Sequence, residues 1–148
     1  MTIAMHETVE VQVLSSKDPG YREVLAIRRT VFVEEQKVPA ALEVDAYEDE
    51  ACFFLVRVGG RALGTGRFRV KGTQLKFERI ATLKEARGRG IGAALMRRME
   101  AEAEARFPKL EPYMHAQADA VPFYEKIGWR RVGAAFFEAG IEHVAMTK

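Results

Sequence analysis

The chain has 148 residues, 48% hydrophobic and 30% charged, which is typical of a single globular domain spanning residues 1–148. Its formal net charge of +2 is too small for a protein that binds nucleic acid through a general basic surface. The chain has one cysteine, Cys52, which excludes an internal disulfide. No apolar run approaches the ~18 residues needed to span a membrane, and the N-terminus lacks a signal-peptide pattern. We therefore expect a cytoplasmic protein that binds neither nucleic acid nor a membrane.

The first third of the chain shows a strand signal followed by helix signals. Residues 8–14 alternate apolar and polar side chains, which predicts a half-buried strand. A helix is predicted next, with Val31 and Phe32 on its apolar face and Val38-Pro39 at its end. Residues 40–50 predict a short helix and an exposed loop that carry five carboxylates, namely Glu43, Asp45, Glu48, Asp49 and Glu50.

Three strands are predicted in close succession at residues 51–58, 61–71 and 74–82, with glycine turns between them. In the third strand, Leu75 and Phe77 share one face, whereas Ile80 and Thr82 share the other. Such a switch within one strand is what a β-bulge produces. The bulge would leave backbone groups near residues 79–82 available to a ligand.

The second half of the chain predicts two helices and three or four further strands, one of which starts at Gly128-Trp129. A helix at residues 90–106 follows from an apolar spacing of four, a strand is predicted at 110–116, and a short helix at 119–127. One or two strands occupy residues 136–148, and such a terminal pair could support a homodimer. The whole order predicts one mixed α/β (α+β) domain with a central sheet of about six to seven strands and flanking helices.

A glycine-rich run with two arginines joins the third of the clustered strands to the long helix. It reads Arg87-Gly88-Arg89-Gly90-Ile91-Gly92. Glycines let a ligand approach the backbone closely, and a helix start offers unpaired N–H groups at the positive end of its dipole. The run therefore predicts a site for a phosphate-bearing ligand. A glycine turn with solvated arginines is the simpler alternative.

Two nucleotide-binding motifs resemble this run incompletely. A Walker P-loop needs a Gly-Lys-Ser/Thr ending, which is absent. The spacing Gly88-x-Gly90-x-x-Ala93 matches a dinucleotide fingerprint, but too little chain follows for most of a doubly wound sheet. A dinucleotide-binding enzyme is thus a lesser alternative.

Two motifs together resemble the GCN5-related N-acetyltransferase (GNAT) family. The glycine run, preceded by Ile80-Ala81-Thr82, is similar to the family's Arg/Gln-x-x-Gly-x-Gly/Ala motif. The segment at 120–129, AVPFYEKIGW, is similar to its Ala-x-x-Phe-Tyr-x-Lys-x-Gly-Phe segment. Residues 29–36 and 140–146 resemble a small bacterial subgroup of undefined substrate.

The resemblance implies that acetyl-CoA binds as co-substrate, without a metal. Loop amides would hold its pyrophosphate, and the bulged strand would pair with its pantetheine arm. Many family members carry Asn where this chain has Gln117, so that contact with pantetheine would have a shifted geometry. The implied cofactor-binding residues are Ile80, Ala81, Thr82, Arg87, Gly88, Arg89, Gly90, Ile91, Gly92, Ala93, Gln117 and Phe123.

Two residues are candidates for the proton transfers of acetyl transfer. Tyr124, at the family's tyrosine position, would protonate the leaving thiolate, since a phenol with a pKa of about 10 is protonated at neutral pH. Glu78 is the candidate base, with a carboxylate paired to a neighbouring arginine as its alternative. The candidate acceptor-site residues are Phe32, Glu34, Glu35, Gln36, His115 and His143, each of which could instead be structural or solvated.

These features predict an N-acetyltransferase that moves an acetyl group from acetyl-CoA to a primary amine of a small molecule or peptide terminus. Direct attack in a ternary complex is expected because no serine or cysteine stands where a covalent intermediate would form. A non-catalytic acyl-CoA-binding sensor or interaction module of the same fold is the main alternative.

Overall fold

The computed structural model describes residues 8–148, which form one mixed sheet with helices on both faces. The strands are β1 (Val9–Leu14), β2 (Cys52–Val58), β3 (Arg61–Lys71), β4 (Gln74–Thr82), β5 (Glu111–Gln117), β6 (Arg130–Arg131), β7 (Phe136–Glu138) and β8 (Ile141–Thr147). The helices are α1 (Tyr21–Arg28), α2 (Ala40–Glu43), α3 (Ile91–Arg106) and α4 (Val121–Lys126). Short 3-10 turns cover Lys84–Ala86 and Ala118–Ala120.

The sheet has the order β1-β2-β3-β4-β5-β8-β6, and β7 also pairs with β8. All pairs are antiparallel except β4 with β5, which are joined through α3 and run parallel. This agrees with the predicted mixed α/β domain. A doubly wound dinucleotide fold would instead require a mostly parallel sheet.

Each face of the sheet has its own hydrophobic core. On one face, Ile91, Leu95 and Met99 of α3 are buried against β2, β3 and β4. These residues recur at a spacing of four, so they form a single stripe along the helix, as predicted. On the other face, α1 packs on Phe53 and Leu55 of β2. The sheet is thus held rigidly between two layers.

The first predicted helix is present with Val31 and Phe32 buried, but beyond Arg28 it continues as a π-helix over Arg29–Glu35. Its last turn closes through a bond from Gln36 N–H to the Val31 carbonyl, 3.0 Å long. The wider turns carry the end of this helix across the sheet toward β4.

The expectation that residues 40–50 form an exposed acidic loop is wrong for two carboxylates. Glu43 and Glu48 are 4% and 8% exposed. They are buried because Arg28, itself fully buried, donates to both of them, and Arg67 donates to Glu48. Buried charges require such partners. The acidic segment is therefore fixed against the sheet.

Candidate active site

The predicted β-bulge is present in β4. Thr65 of β3 pairs with Ala81 and Arg67 pairs with Glu78, so two β4 residues, Arg79 and Ile80, stand opposite Gly66 alone. Arg79 has a φ of 55°, a conformation that non-glycine residues rarely adopt. The extra residue interrupts the regular strand pairing at this point and explains the switch of faces seen in the sequence.

Strands β4 and β5 separate just beyond their parallel pairing. Their register runs from Gln74 opposite Glu111 to Phe77 opposite Met114 and then stops, although both strands continue. A cavity of about 440 Å³ opens between them and contacts the bulge, the π-helix end, α4 and β8. Its lining includes Phe32, Gln36, Glu78, Arg79, Ile80, His115, Ala116, Gln117, Tyr124, Glu138 and His143.

The glycine loop lies between β4, which lines this cavity, and the start of α3. Gly88 and Gly90 have φ values of 75° and 79°, and no atom lies within 4 Å of where a side chain would begin at either position. Within residues 8–148, the amides of Ile91, Gly92 and Ala93 have no hydrogen-bond acceptor, as expected for a first helical turn. The loop therefore offers an open group of N–H donors, with the exposed side chain of Arg89 next to them.

Arg87 is held by two neighbours. Its Nη1 and Nη2 donate to the two carboxylate oxygens of Glu35 at 2.6 and 2.7 Å, and its Nε donates to the Thr82 carbonyl at 3.0 Å. Hydrogen bonding from Arg87 lowers the pKa of Glu35. The ion pair links the glycine loop to the end of the π-helix.

Tyr124 lines the cavity from α4 and is 7% exposed. Its ring packs between Phe123 and Trp129, and burial raises the pKa of its hydroxyl well above the usual value. Phe123 is 37% exposed and approaches Gly92 so closely that a Cβ there would lie 3.3 Å from the ring. Of the two aromatic residues of the predicted motif, Phe123 thus contacts the glycine loop and Tyr124 lines the cavity.

Glu78 lines the cavity and is paired with arginines. It accepts hydrogen bonds from Arg67 Nε at 2.9 Å and Arg69 Nε at 2.8 Å. Burial raises the pKa of Glu78, but the charge of Arg67 and the hydrogen bonds from both arginines outweigh burial and lower the pKa overall. The carboxylate is therefore ionised, and it is a weaker base than an unpaired glutamate.

The other predicted residues divide into those at the cavity and those outside it. Phe32, Gln36 and Gln117 line it, and Gln117 Nε2 donates to Gln36 Oε1 at 2.7 Å. His115 and His143 line it from β5 and β8. Glu34 is exposed beside Arg29 and, like Glu35, is not part of the lining.

Glu138 is a cavity residue that the sequence reasoning missed. It lies in β7, and its Oε1 accepts a hydrogen bond from His115 Nδ1 at 3.0 Å. The hydrogen bond and charge of His115 lower the pKa of Glu138 to about 2, despite partial burial. Only the pairing of β7 with β8 brings it to the histidines, so no local signal marks it.

Within the described range 8–148, no group of three or more His, Cys, Asp or Glu side chains is arranged to hold a metal ion. No helix of that range has both the length and the apolar character required to cross a membrane. Cys52 is half-buried beside Arg106 and lies away from the cavity.

The site combines a parallel strand pair that separates next to a bulge with a glycine loop at the start of the helix that joins the two strands. Residues 11–148 match the Acetyltransferase (GNAT) domain. The chain is 37% identical over 137 residues to the uncharacterized N-acetyltransferase YjcF of Bacillus subtilis, covering 92% of this chain and 97% of the relative. The chain belongs to the GNAT family and is an acetyltransferase.

Solved structures agree with this assignment. An acyl-CoA N-acyltransferase from Pseudomonas aeruginosa superposes with a TM-score of 0.84 at 27% identity, covering 95% of this chain and 99% of that one. Escherichia coli ElaA has the same fold, with a TM-score of 0.85 at 23% identity over 94% of this chain and 99% of its own.

Proposed function

We propose that this chain transfers the acetyl group of acetyl-CoA to a primary amine of a small molecule or a chain terminus, by direct attack in a ternary complex. The observation that carries the proposal is the cavity between β4 and β5, which has the bulge on one wall and Tyr124 on another. An amine and a thioester could meet there out of bulk water.

The glycine loop fits the pyrophosphate of acetyl-CoA. Space is open above Gly88 and Gly90, and the first amides of α3 lack acceptors within the described residues. Arg87 and Arg89 supply charge, and Ile80–Thr82 supply strand backbone for the pantetheine arm. Gln117 lies on β5 in the cavity lining, and Phe123 of α4 packs against Gly92 of the loop. The bound acetyl-CoA would supply an activated acetyl thioester.

The reaction needs a polarised thioester carbonyl and a proton for the leaving thiolate, and the bulge and Tyr124 fit these two needs. Backbone N–H groups near Arg79 and Ile80 would polarise the thioester carbonyl. The Tyr124 hydroxyl, kept protonated by its raised pKa, would give its proton to the departing thiolate. A thiolate leaving into a buried site needs such a donor because little water is there to solvate it.

Direct attack is favoured by the composition of the cavity. Among residues 8–148, those that line the cavity include neither serine nor cysteine, so no described side chain of those types is placed to carry an acetyl group. Ionised Glu78, the base candidate of the sequence, would favour a cationic acceptor at the cavity, but its arginine partners weaken it as a base.

Thermal shift followed by an amine panel tests the proposal. We expect acetyl-CoA to raise the melting temperature, NAD to leave it unchanged, and at least one amine to cause release of the coenzyme A thiol. Stabilisation by NAD alone would indicate the dinucleotide-binding alternative. Stabilisation by acetyl-CoA with no thiol release for any amine would indicate a non-catalytic binding module.

A further inference from the structure

The carboxylates that line the cavity are all paired with cations. Glu43 contacts Arg28 and Arg79, Asp45 contacts Arg67 and Arg79, and Glu78 contacts Arg67 and Arg69. Glu138 is paired with His115. For Asp45, Glu78 and Glu138 the cations outweigh burial and lower the pKa, so each of these carboxylates would lose favourable contacts on taking up a proton.

The first of the two histidines has no nitrogen left for a substrate. His115 Nδ1 is hydrogen-bonded to Glu138 Oε1, and its Nε2 is hydrogen-bonded to the Tyr113 hydroxyl, both at 3.0 Å. Its ring also packs edge-on against Phe136 at 4.8 Å between centroids. His115 is therefore fixed as part of the cavity wall.

The second histidine has one nitrogen left. His143 Nδ1 lies 2.7 Å from the Ile141 carbonyl, which only accepts, so Nδ1 carries a proton, and in the neutral ring the lone pair is therefore on Nε2. Among residues 8–148 this Nε2 has no hydrogen-bond partner, and the nearest anionic atom is Glu138 Oε2 at 3.8 Å. The ring stacks on Phe136, which fixes its plane.

We propose that Nε2 of His143 is the base that takes the first proton from the ammonium group of the acceptor, and that Glu138 is its positioning residue. His143 lies in β8 opposite Gln117 of β5 and lines the same cavity as Tyr124. The imidazolium formed would lie beside the Glu138 carboxylate, which stabilises its charge. This inference rests on the proposed acetyl transfer.

The acceptor nitrogen loses two protons during the reaction. The ammonium gives one proton to His143 Nε2, and the amine lone pair then forms the bond to the thioester carbonyl carbon. As the carbon–sulfur bond breaks, the electron pair leaves with sulfur, which receives the proton of Tyr124. The second proton lost by the nitrogen restores Tyr124, and His143 releases its proton to water.

Several titratable groups surround this base. Glu138 faces it from β7, and His115 lies on the neighbouring strand β5. The charge of Lys76, on β4, helps to lower the pKa of Glu138. Glu138, with its pKa lowered to about 2, is ionised throughout the neutral range. Its negative charge lies 3.8 Å from His143 Nε2 and would stabilise the imidazolium formed in the reaction, so a Glu138→Gln change should lower kcat/KM for an alkylamine more than for an arylamine.

Acetylation of an alkylamine and of an arylamine by a His143→Gln variant tests the proposal. Phenethylamine is an ammonium ion at neutral pH and needs a base, whereas aniline is already uncharged. We expect kcat/KM for phenethylamine to fall about 100-fold near neutral pH, with the loss shrinking as pH rises, and kcat/KM for aniline to change only a few-fold. The comparison variant is His115→Gln, which removes a hydrogen bond to Glu138 but leaves His143 Nε2 in place, so its loss of kcat/KM for phenethylamine should be much smaller than that of His143→Gln.

An equal loss for both amines, independent of pH, would overturn the proposal. Nitrogen-15 spectra of the imidazoles give a second test that needs no acceptor, with the His143→Gln spectrum assigning the signal. The proposal predicts the tautomer protonated on Nδ1, and a neutral ring protonated on Nε2 would overturn it even if neither amine is acetylated. Failure of every amine, with acetyl-CoA bound, would instead count against the proposed function.

Discussion

Tyr124 combines deep burial with a position at the cavity, and this predicts the effect of removing its hydroxyl. We expect Tyr124→Phe to lower kcat about 100-fold, because the thiolate loses its proton donor. The affinity for coenzyme A and the melting temperature should change little, since the ring still packs between Phe123 and Trp129. Thiol release and calorimetry measure these quantities, and an unchanged kcat would contradict the role of Tyr124.

Gly90 has a left-handed backbone conformation, and the space where its side chain would begin is open to a ligand. We expect Gly90→Asp to abolish measurable coenzyme A binding in calorimetry, because a carboxylate would occupy the open space in front of the amides and repel phosphate.

Gly72 provides the matched control for that change. It lies in the turn between β3 and β4, has a φ of 62° and is also open on its side-chain face. Gly72→Asp therefore imposes similar backbone strain without touching the loop, and should bind coenzyme A normally. Equal losses of affinity in both variants would refute the assignment of the loop.

At the scale of residues, the sequence predicted the motif residues and, as an alternative for Glu78, a pair with a neighbouring arginine, but it did not predict which arginines, nor the pair of Glu138 with His115. The spacing of the glycine run and of Phe123-Tyr124 is local, so it can be recognised without a structure. The pairing of Glu78 with Arg67 and Arg69, and of Glu138 with His115, depends on strand register. Glu78 alone therefore suggested a stronger base than its surroundings allow.

At the scale of elements, the pair between Glu35 and Arg87 joins the π-helix to the glycine loop. We expect Glu35→Gln to strengthen coenzyme A binding, because Arg87 becomes available to phosphate. Stability should change by less than about 1 kcal/mol, since both side chains are partly exposed. Calorimetry and chemical denaturation give the two quantities.

Glu34 supplies the control for Glu35. It is the neighbouring carboxylate on the same π-helix, lies 3.6 Å from Arg29 and is exposed. Glu34→Gln removes the same charge but not the contact with the loop, so the affinity for coenzyme A should stay as in the unaltered protein. Weaker binding by Glu35→Gln would indicate instead that Glu35 holds Arg87 ready for phosphate.

The elements themselves were predictable to different degrees. The face switch between Phe77 and Ile80 revealed the bulge, because side-chain alternation records the path of the strand. The π-helix after Arg28 was missed, since its wider turns leave no distinct spacing in so short a segment. The buried state of Glu43 and Glu48 was also missed, because the arginines that permit it are distant in sequence.

For the molecule as a whole, Arg67 is the centre of a buried ionic network. It is fully buried and donates to Asp45, Glu48 and Glu78. We expect Arg67→Met to lower the free energy of unfolding by about 3–5 kcal/mol, because it leaves several carboxylates without their partner. Denaturant titration measures the change.

Arg57 provides the comparison for Arg67, because its ion pair with Glu23 lies at the surface. Arg57→Met should cost no more than about 1 kcal/mol. If Arg67→Met does not fold, Arg67→Lys is the variant to measure. It keeps the positive charge but lacks the planar guanidinium group, and it should fold with intermediate stability. Equal stability of the Arg67 and Arg57 variants would show that the network is not what fixes the acidic segment.

The fate of an isotopically labelled acetyl group tests the central claim most directly. The protein is incubated with labelled acetyl-CoA, first alone and then with an amine, and protein and amine are separated. We predict that the protein alone stays unlabelled and that the label appears on the amine as coenzyme A is released. Label bound covalently to the protein before the amine is added, or no transfer to any amine while acetyl-CoA binds, would contradict direct acetyl transfer in the cavity between β4 and β5.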